Sequence, residues 1–210
     1  MYSTGSHFNL SAECKVIYTA WENGLLGPPV ATVLVAMVDL RDIPEGTRWQ
    51  ITTRILSSLP VMYDIAFRET VGGKYDELEY QVWLELGKDA VDISKAFHLP
   101  VTTAADLAGD LRLITRIIFG AEFRYEVLEI SEERATLLTK TCPFLGSTYE
   151  YGGTAQHLFP KCLAFSVAVV ETLNPRFTAR IVRSLCMADR SCEMAILTKE
   201  DAKKIDEKEG

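Results

Sequence analysis

EFRYEVLEISEERATLLTKTCP, residues 122–143, is the stretch on which the fold turns. Phe123, Tyr125 and Val127 alternate with Glu122, Arg124 and Glu126, which is the period of a half-buried strand. Ser131-Glu132-Glu133 supplies a short polar turn. Ala135 to Thr141 supplies a second strand, so the stretch predicts a hairpin. Downstream, Leu145 to Gln156 reads as a polar, glycine-containing loop. Pro160 then sits where helices accept proline, in the first turn, and the helix it opens runs to about Leu173 and stops at Asn174-Pro175. Phe177 to Leu185 is a third strand, Met187 to Ser191 a tight connection, and Cys192 to Thr198 a fourth strand. The order is strand, strand, helix, strand, strand.

Upstream of residue 122 the period is helical. Ser11 caps a helix through Trp21, and a second apolar segment runs from the Gly27-Pro28-Pro29 loop to Leu40. Thr47 opens a segment with Ile51, Ile55 and Leu59 at helical spacing, where Pro60 predicts a kink or a stop. Gly72-Gly73 is a joint. From Lys74 on, Tyr75, Leu78, Val82 and Leu86 share one helix face, while Asp76, Glu77 and Glu79 fall on the other and read as a solvated surface. Thr103-Ala104-Ala105-Asp106 has the form of a capping box. It opens a helix carrying Leu107, Leu111, Ile114 and Ile118, with Gly120 as its stop. The expected fold is α+β: a helical layer, residues 11–120, packed on an antiparallel sheet built within 121–198, as one domain. The charged tail, 199–210, reads as a frayed helix or disorder.

The 210 residues are 48% hydrophobic, enough for a full core without disulfides. A net charge of −7 lacks the basic excess that duplex binding needs, so nucleic acid is not an expected partner. The longest apolar stretch, Val30 to Leu40, contains Asp39 and falls short of the roughly 20 residues that span a bilayer. The N-terminus lacks the basic-then-apolar order of a secretory signal, so a cytoplasmic protein is expected.

In that compartment clustered cysteines point to metal or redox chemistry rather than disulfides. Cys142, Cys162, Cys186 and Cys192 are separated by 19, 23 and 5 intervening residues. Cys142 ends the second strand, Cys162 falls in the first turn of the helix, Cys186 ends the third strand and Cys192 begins the fourth. The topology therefore brings all four to one rim of the sheet. The helix N-terminus would favour the thiolate of Cys162. Four thiolates suit structural zinc or, as the Cys142-Pro143 step suggests, a [4Fe-4S] cluster. Buried unliganded thiols and transient disulfides are the alternatives. Cys14 reads as a small buried hydrophobe.

Beside that rim, Ser147 to Gly153 is the most pocket-like loop, and Tyr149, Tyr151 and His157 are the candidate ligand-binding residues. Tyr63, Phe67, Trp83 and Phe119 read as core or as a dimer face. There is no nucleophile–base pair, phosphate-cradling loop or carboxylate dyad, and no catalytic residue is assigned.

Residues 141–197 resemble the 4-vinyl reductase domain family, and more loosely the aminothiazoline-carboxylate hydrolase-like proteins. The resemblance rests on Lys161-Cys162 opening a helix, on Val182-Arg183-Ser184-Leu185-Cys186 ending a strand, and on Cys192-Glu193-Met194-Ala195-Ile196 beginning the next. It implies a helical layer on an antiparallel sheet, often dimeric, with a cavity for a small molecule near a zinc held by cysteines. Met187 to Ser191 lacks the glycine these families often carry there.

The sequence reading is thus a metal-stabilised domain that binds a small, largely apolar molecule. One alternative is a hydrolase, or an iron–sulfur-dependent desulfurising or redox enzyme, with His157, Tyr149, Tyr151 and Asp189 nearest for proton transfer. The other is a homodimeric assembly module that uses its helical half.

Overall fold

The computed structural model of the protein describes residues 40–209. The helix expected from Ser11, the apolar segment before Leu40, and Cys14 lie outside the described residues. The chain divides into two compact units, 1–44 and 45–210. Of the first, a 3-10 turn at Leu40–Asp42 is described.

The second unit begins with helix α1, Glu45–Val71, which is 27 residues long. Pro60 lies inside it, so the helix continues through the residue expected to kink or stop it. An interior proline removes one backbone bond, and the rest of this long run outweighs that loss. A 3-10 turn at Gly72–Lys74 makes the expected joint. Helices α2 (Tyr75–Ala90), α3 (Asp92–Ala96) and α4 (Ala104–Phe119) follow. The capping box of α4 is complete: the Asp106 amide donates to Thr103 Oγ1 (3.1 Å), and the Thr103 amide donates to Asp106 Oδ2 (2.9 Å). Gly120 ends α4 with φ of 109°, a value that favours glycine.

Strands β1 (Arg124–Ser131) and β2 (Arg134–Thr141) form the expected hairpin. Helix α5, Pro143–Tyr151, occupies most of what the sequence presents as a loop. Its proline falls in the first turn and Gly152, at φ of 74°, closes it. Helix α6 is Leu158–Leu173, β3 is Phe177–Arg183 and β4 is Cys192–Thr198. The sheet order is β1-β2-β4-β3, with every neighbour antiparallel. The architecture is α+β, a helical half followed by a four-stranded antiparallel sheet, as the sequence predicts.

The charged tail forms helix α7, Lys199–Glu209. Thr198 Oγ1 accepts from the Asp201 amide, and Lys204 pairs with Glu200 and Asp201, which is what holds so polar a segment helical. Among the described residues no helix is long and apolar enough to cross a membrane.

The core lies between the sheet and helices α2, α4, α5 and α6. Leu107, Leu111, Ile114, Phe119, Val169, Phe177 and Ile196 are all 2% exposed or less. Phe119 is its aromatic hub, with ring centroids of Phe144, Phe165 and Trp83 at 4.8, 5.4 and 5.9 Å. Trp83 and Phe119 are thus core, whereas Tyr63 and Phe67 are about half exposed.

Candidate functional site

The four cysteines do reach one place. Cys142 caps α5, Cys162 lies on α6, Cys186 sits in a 3-10 turn at Leu185–Met187, and Cys192 opens β4. All four line a cavity of about 80 Å³ between the helices and the sheet. Trp83, Phe119, Phe123, Phe144 and Phe165 supply much of the remaining wall. Strand direction brought the thiols together, as the topology required.

They do not make a metal site. Among the described residues no group of three or more His, Cys, Asp or Glu side chains is placed to hold a metal ion. Lining one cavity is a looser condition than sharing a coordination sphere, in which every sulfur must come within about 2.3 Å of a single point. The four-cysteine metal clamp is overturned, and the metal-stabilised domain reading goes with it.

The thiols instead find protein partners or apolar walls. Leu185 N–H donates to Cys192 Sγ (3.2 Å), and Ser184 Oγ lies 2.9 Å from Cys186 Sγ. Burial pushes the Cys142 thiol up to about 12, despite backbone N–H groups from α5. Burial raises Cys162 as well. The sequence suggested the opposite for Cys162, on the premise that it falls in the first turn of its helix. The helix begins at Leu158, two residues before Pro160, so Cys162 lies past the unpaired amides.

The other predicted residues stand apart from this cavity. Tyr149 and Tyr151 lie on α5 and are 71% and 45% exposed. His157 belongs to a 3-10 turn, Ala155–His157, and its Nδ1 is 2.7 Å from Asp64 Oδ2. Asp189 caps the Ser184 amide at 2.8 Å, a local structural role.

His157 instead leads to a buried ionic cluster that sequence reasoning missed. Lys161, 2% exposed, reaches Asp64 of α1 at 3.3 Å and Glu79 of α2 at 2.9 Å. Arg68 pairs with Asp64 (2.6 Å) and Asp76 (2.7 Å) and lies over the Tyr75 ring. Tyr75 Oη donates to Glu79 at 3.1 Å. Burial would push Asp64 up, but hydrogen bonds with Arg68 and His157 and the charge of Lys161 hold it at about 2. For Glu79 burial wins over Lys161 and Tyr75, and its carboxyl is raised. Glu79 is therefore not on a solvated face, as its spacing implied. The one sequence signal was a lysine at an inward position of an otherwise apolar helix.

The polarity of α1 is inverted. Its buried side chains are Thr53, Ser57, Ser58, Val61 and Asp64, while Ile51, Ile55, Met62, Tyr63, Ile65 and Phe67 are each 45–55% exposed. Between α1 and α2 lies an open groove of about 500 Å³. Leu56, Tyr63, Phe67 and Val71 form one wall, Leu78, Val82 and Leu86 the other, and Glu79 and Tyr75 are the polar exceptions.

No protein-family model matches the chain, and no curated protein matches it. Among solved structures it is similar to trafficking protein particle complex subunit 3 from Naegleria fowleri, covalently bound to palmitic acid. Identity is 10% and the TM-score 0.52, over 71% of this chain and 96% of that one. The likeness is one of fold.

Proposed function

We propose that this protein is a subunit of a protein assembly and that α1 is its docking element. The inverted polarity of α1 carries the reading. A helix buried on one side in a lone chain turns its polar residues outward. Here large apolar residues stand outward beside polar ones such as Gln50, Arg54 and Glu69, while Thr53, Ser57, Ser58 and Asp64 are turned inward. From their exposures, the apolar side chains of α1 and α2 together leave on the order of 1,000 Å² uncovered, part of it along the groove. The structural neighbour is itself a subunit of a complex, which supports the reading.

The groove has two helical walls and an apolar floor, the shape that receives the apolar face of an amphipathic helix. Its occupant is such a helix from a partner protein. The test is a photo-crosslinking residue placed at Val82, 64% exposed on the groove wall, in the full chain expressed in its own cells. A crosslinked species at Val82, absent with the same residue at Lys203 of α7, is the expected result. No crosslink at Val82 overturns the reading.

A second reading concerns the thiol-lined cavity. Its walls are almost wholly apolar, and the structural neighbour carries palmitic acid covalently. A cavity of about 80 Å³ is far too short for a fatty acyl chain as it stands, so a compact ring is the better fit. Benzene raising the melting temperature of the protein, but not of a Cys162→Phe variant whose ring fills the space, is the expected outcome. Equal response of both proteins removes this reading.

A further inference from the structure

We infer that Trp83 and Phe119 form a movable wall through which the thiol-lined cavity controls docking in the α1–α2 groove: a compact apolar ligand in the cavity weakens the helix in the groove. The inference rests on the two readings above, and it names the regulation of the docking site. The two spaces have these residues in common. Trp83 and Phe119 line the cavity of about 80 Å³ on one side and the groove of about 500 Å³ on the other. The rings are 5 and 2% exposed, and each lines both spaces, so the wall is one side chain thick.

The size of the cavity makes the wall move. A dry apolar cavity that takes up benzene measures about 150 Å³. This one holds about 80 Å³, so a ring enters when a wall gives. Most of the cavity is backed by close-packed core: Leu111, Leu137 and Phe165 are each 3% exposed or less, and such packing resists added volume. Behind Trp83 and Phe119, among the described residues, lies the open groove instead. The backbone of α2 is not the part that yields. One turn beyond Trp83, Gly87 is pressed against α6 so closely that a Cβ there would lie 2.7 Å from Ala168 Cβ. What can shift is the Trp83 ring, which meets the cavity-lining rings of Phe144 and Phe165 edge to face at 5.7 and 6.1 Å between centroids. Displaced by a ligand, it advances toward Leu56 and Pro60 of α1 and takes up groove. A helix seated in the groove holds it back. Each occupant then lowers the affinity of the other, and by the same factor.

Benzene probes the cavity and the Val82 crosslink reports on the groove. In an extract of its own cells, with the full chain carrying the crosslinker at Val82, saturating benzene should lower the crosslink yield about fivefold or more. In Cys162→Phe, whose cavity is already filled, benzene should lower the yield no further. Trp83→Phe, whose smaller ring makes room in the cavity, should still be stabilised by benzene and should lose the effect on crosslinking. Leu56→Trp approaches the wall from the far side. Leu56 lines the groove and not the cavity, so a larger ring there backs the wall and should abolish the benzene shift in melting temperature. A protein stabilised by benzene whose Val82 crosslink ignores it overturns the inference and leaves both readings standing. An equal fall in the Cys162→Phe yield also overturns it, because benzene then acts in the groove itself, as does a Leu56→Trp protein that responds to benzene like the wild type. If benzene does not stabilise the wild type, the cavity reading falls. If Val82 does not crosslink, the docking reading falls. In either case the inference falls with it.

Discussion

Lys161 sits almost without solvent between two carboxylates, and its removal tests what holds α1 in place. In Lys161→Ala, Asp64 and Glu79 keep Arg68 within reach but lose the cation between them. Breaking a buried pair by deleting one partner costs about 3–5 kcal/mol, and the surviving arginine argues for the lower end. Urea unfolding at neutral pH should show it, and a loss below about 1 kcal/mol would mean the cluster contributes little. Acid gives an independent handle on the same cluster. Asp64 is held at about 2 against an ordinary 3.8, so it binds its proton less readily folded than unfolded. A depressed carboxylate stabilises the fold above its unfolded value, and that contribution is lost as pH falls through the folded one. The wild-type protein should therefore lose about 2 kcal/mol from this residue between about pH 4 and pH 2. Stability curves of Asp64→Asn should be flatter by that amount over the same window. Glu79 works with the opposite sign: its raised carboxyl favours the folded state once protonated, which blunts the acid limb of the wild type.

At the scale of elements, the tightest joint is that of α2 with α6, and Gly87 makes it possible. A Cβ at Gly87 would lie 2.7 Å from both Ala168 Cβ and the Phe165 carbonyl oxygen. Both obstacles are fixed to the α6 backbone, so the helices must part. Gly87→Ala should cost about 1–3 kcal/mol, the usual penalty for overpacking. Gly109 in α4 is the control, since a Cβ there meets nothing within 4 Å. Gly109→Ala should instead stabilise by about 0.5–1 kcal/mol through helix propensity. Paired melting curves moving in the same direction would contradict the packing argument. The sequence announces neither role, because glycine in a helix looks alike whether it faces a neighbour or water. It announces the strands clearly: Phe123, Tyr125 and Val127 alternate strictly, and the capping box at Thr103 and Asp106 marks the start of α4 to the residue. Helix α5 escaped notice because Gly146, Ser147 and Thr148 carry loop chemistry inside what becomes a helix. The meeting of the four cysteines was legible from strand direction. Their failure to share a metal was not, since convergence to a few ångströms depends on side-chain packing that no periodicity records. The ionic cluster was hidden for a related reason. Asp64, Glu79 and Lys161 are far apart in sequence, and a charged residue at helical spacing looks solvated until its neighbours are known.

Taken whole, the second unit leaves the outer face of its sheet only partly covered, and α7 is the cover. Cys192 and Met194 turn toward the cavity, so Ala195 and Leu197 alternate to the opposite face. Both are nevertheless buried, Leu197 completely. Helix α7 packs on β3 and β4, with Ala202 and Ile205 half-buried. Its visible anchors are ionic: Arg180 with Asp206 and, at its first residue, Lys199 with Glu171. Exposed pairs of this kind contribute roughly 0–1 kcal/mol each. Burying one leucine contributes about 2 kcal/mol, so the apolar contact and not the charges should hold the helix down. Ending the chain after Thr198 should accordingly lower stability by about 1–2 kcal/mol, part of the burial being offset by the entropy of ordering the tail. Asp206→Asn should change it by less than about 0.5 kcal/mol. Urea midpoints for the two proteins decide between the forces. If the single charge change costs as much as the truncation, α7 is held electrostatically, and the stability of the intact chain should then fall with added salt, which an apolar contact does not predict.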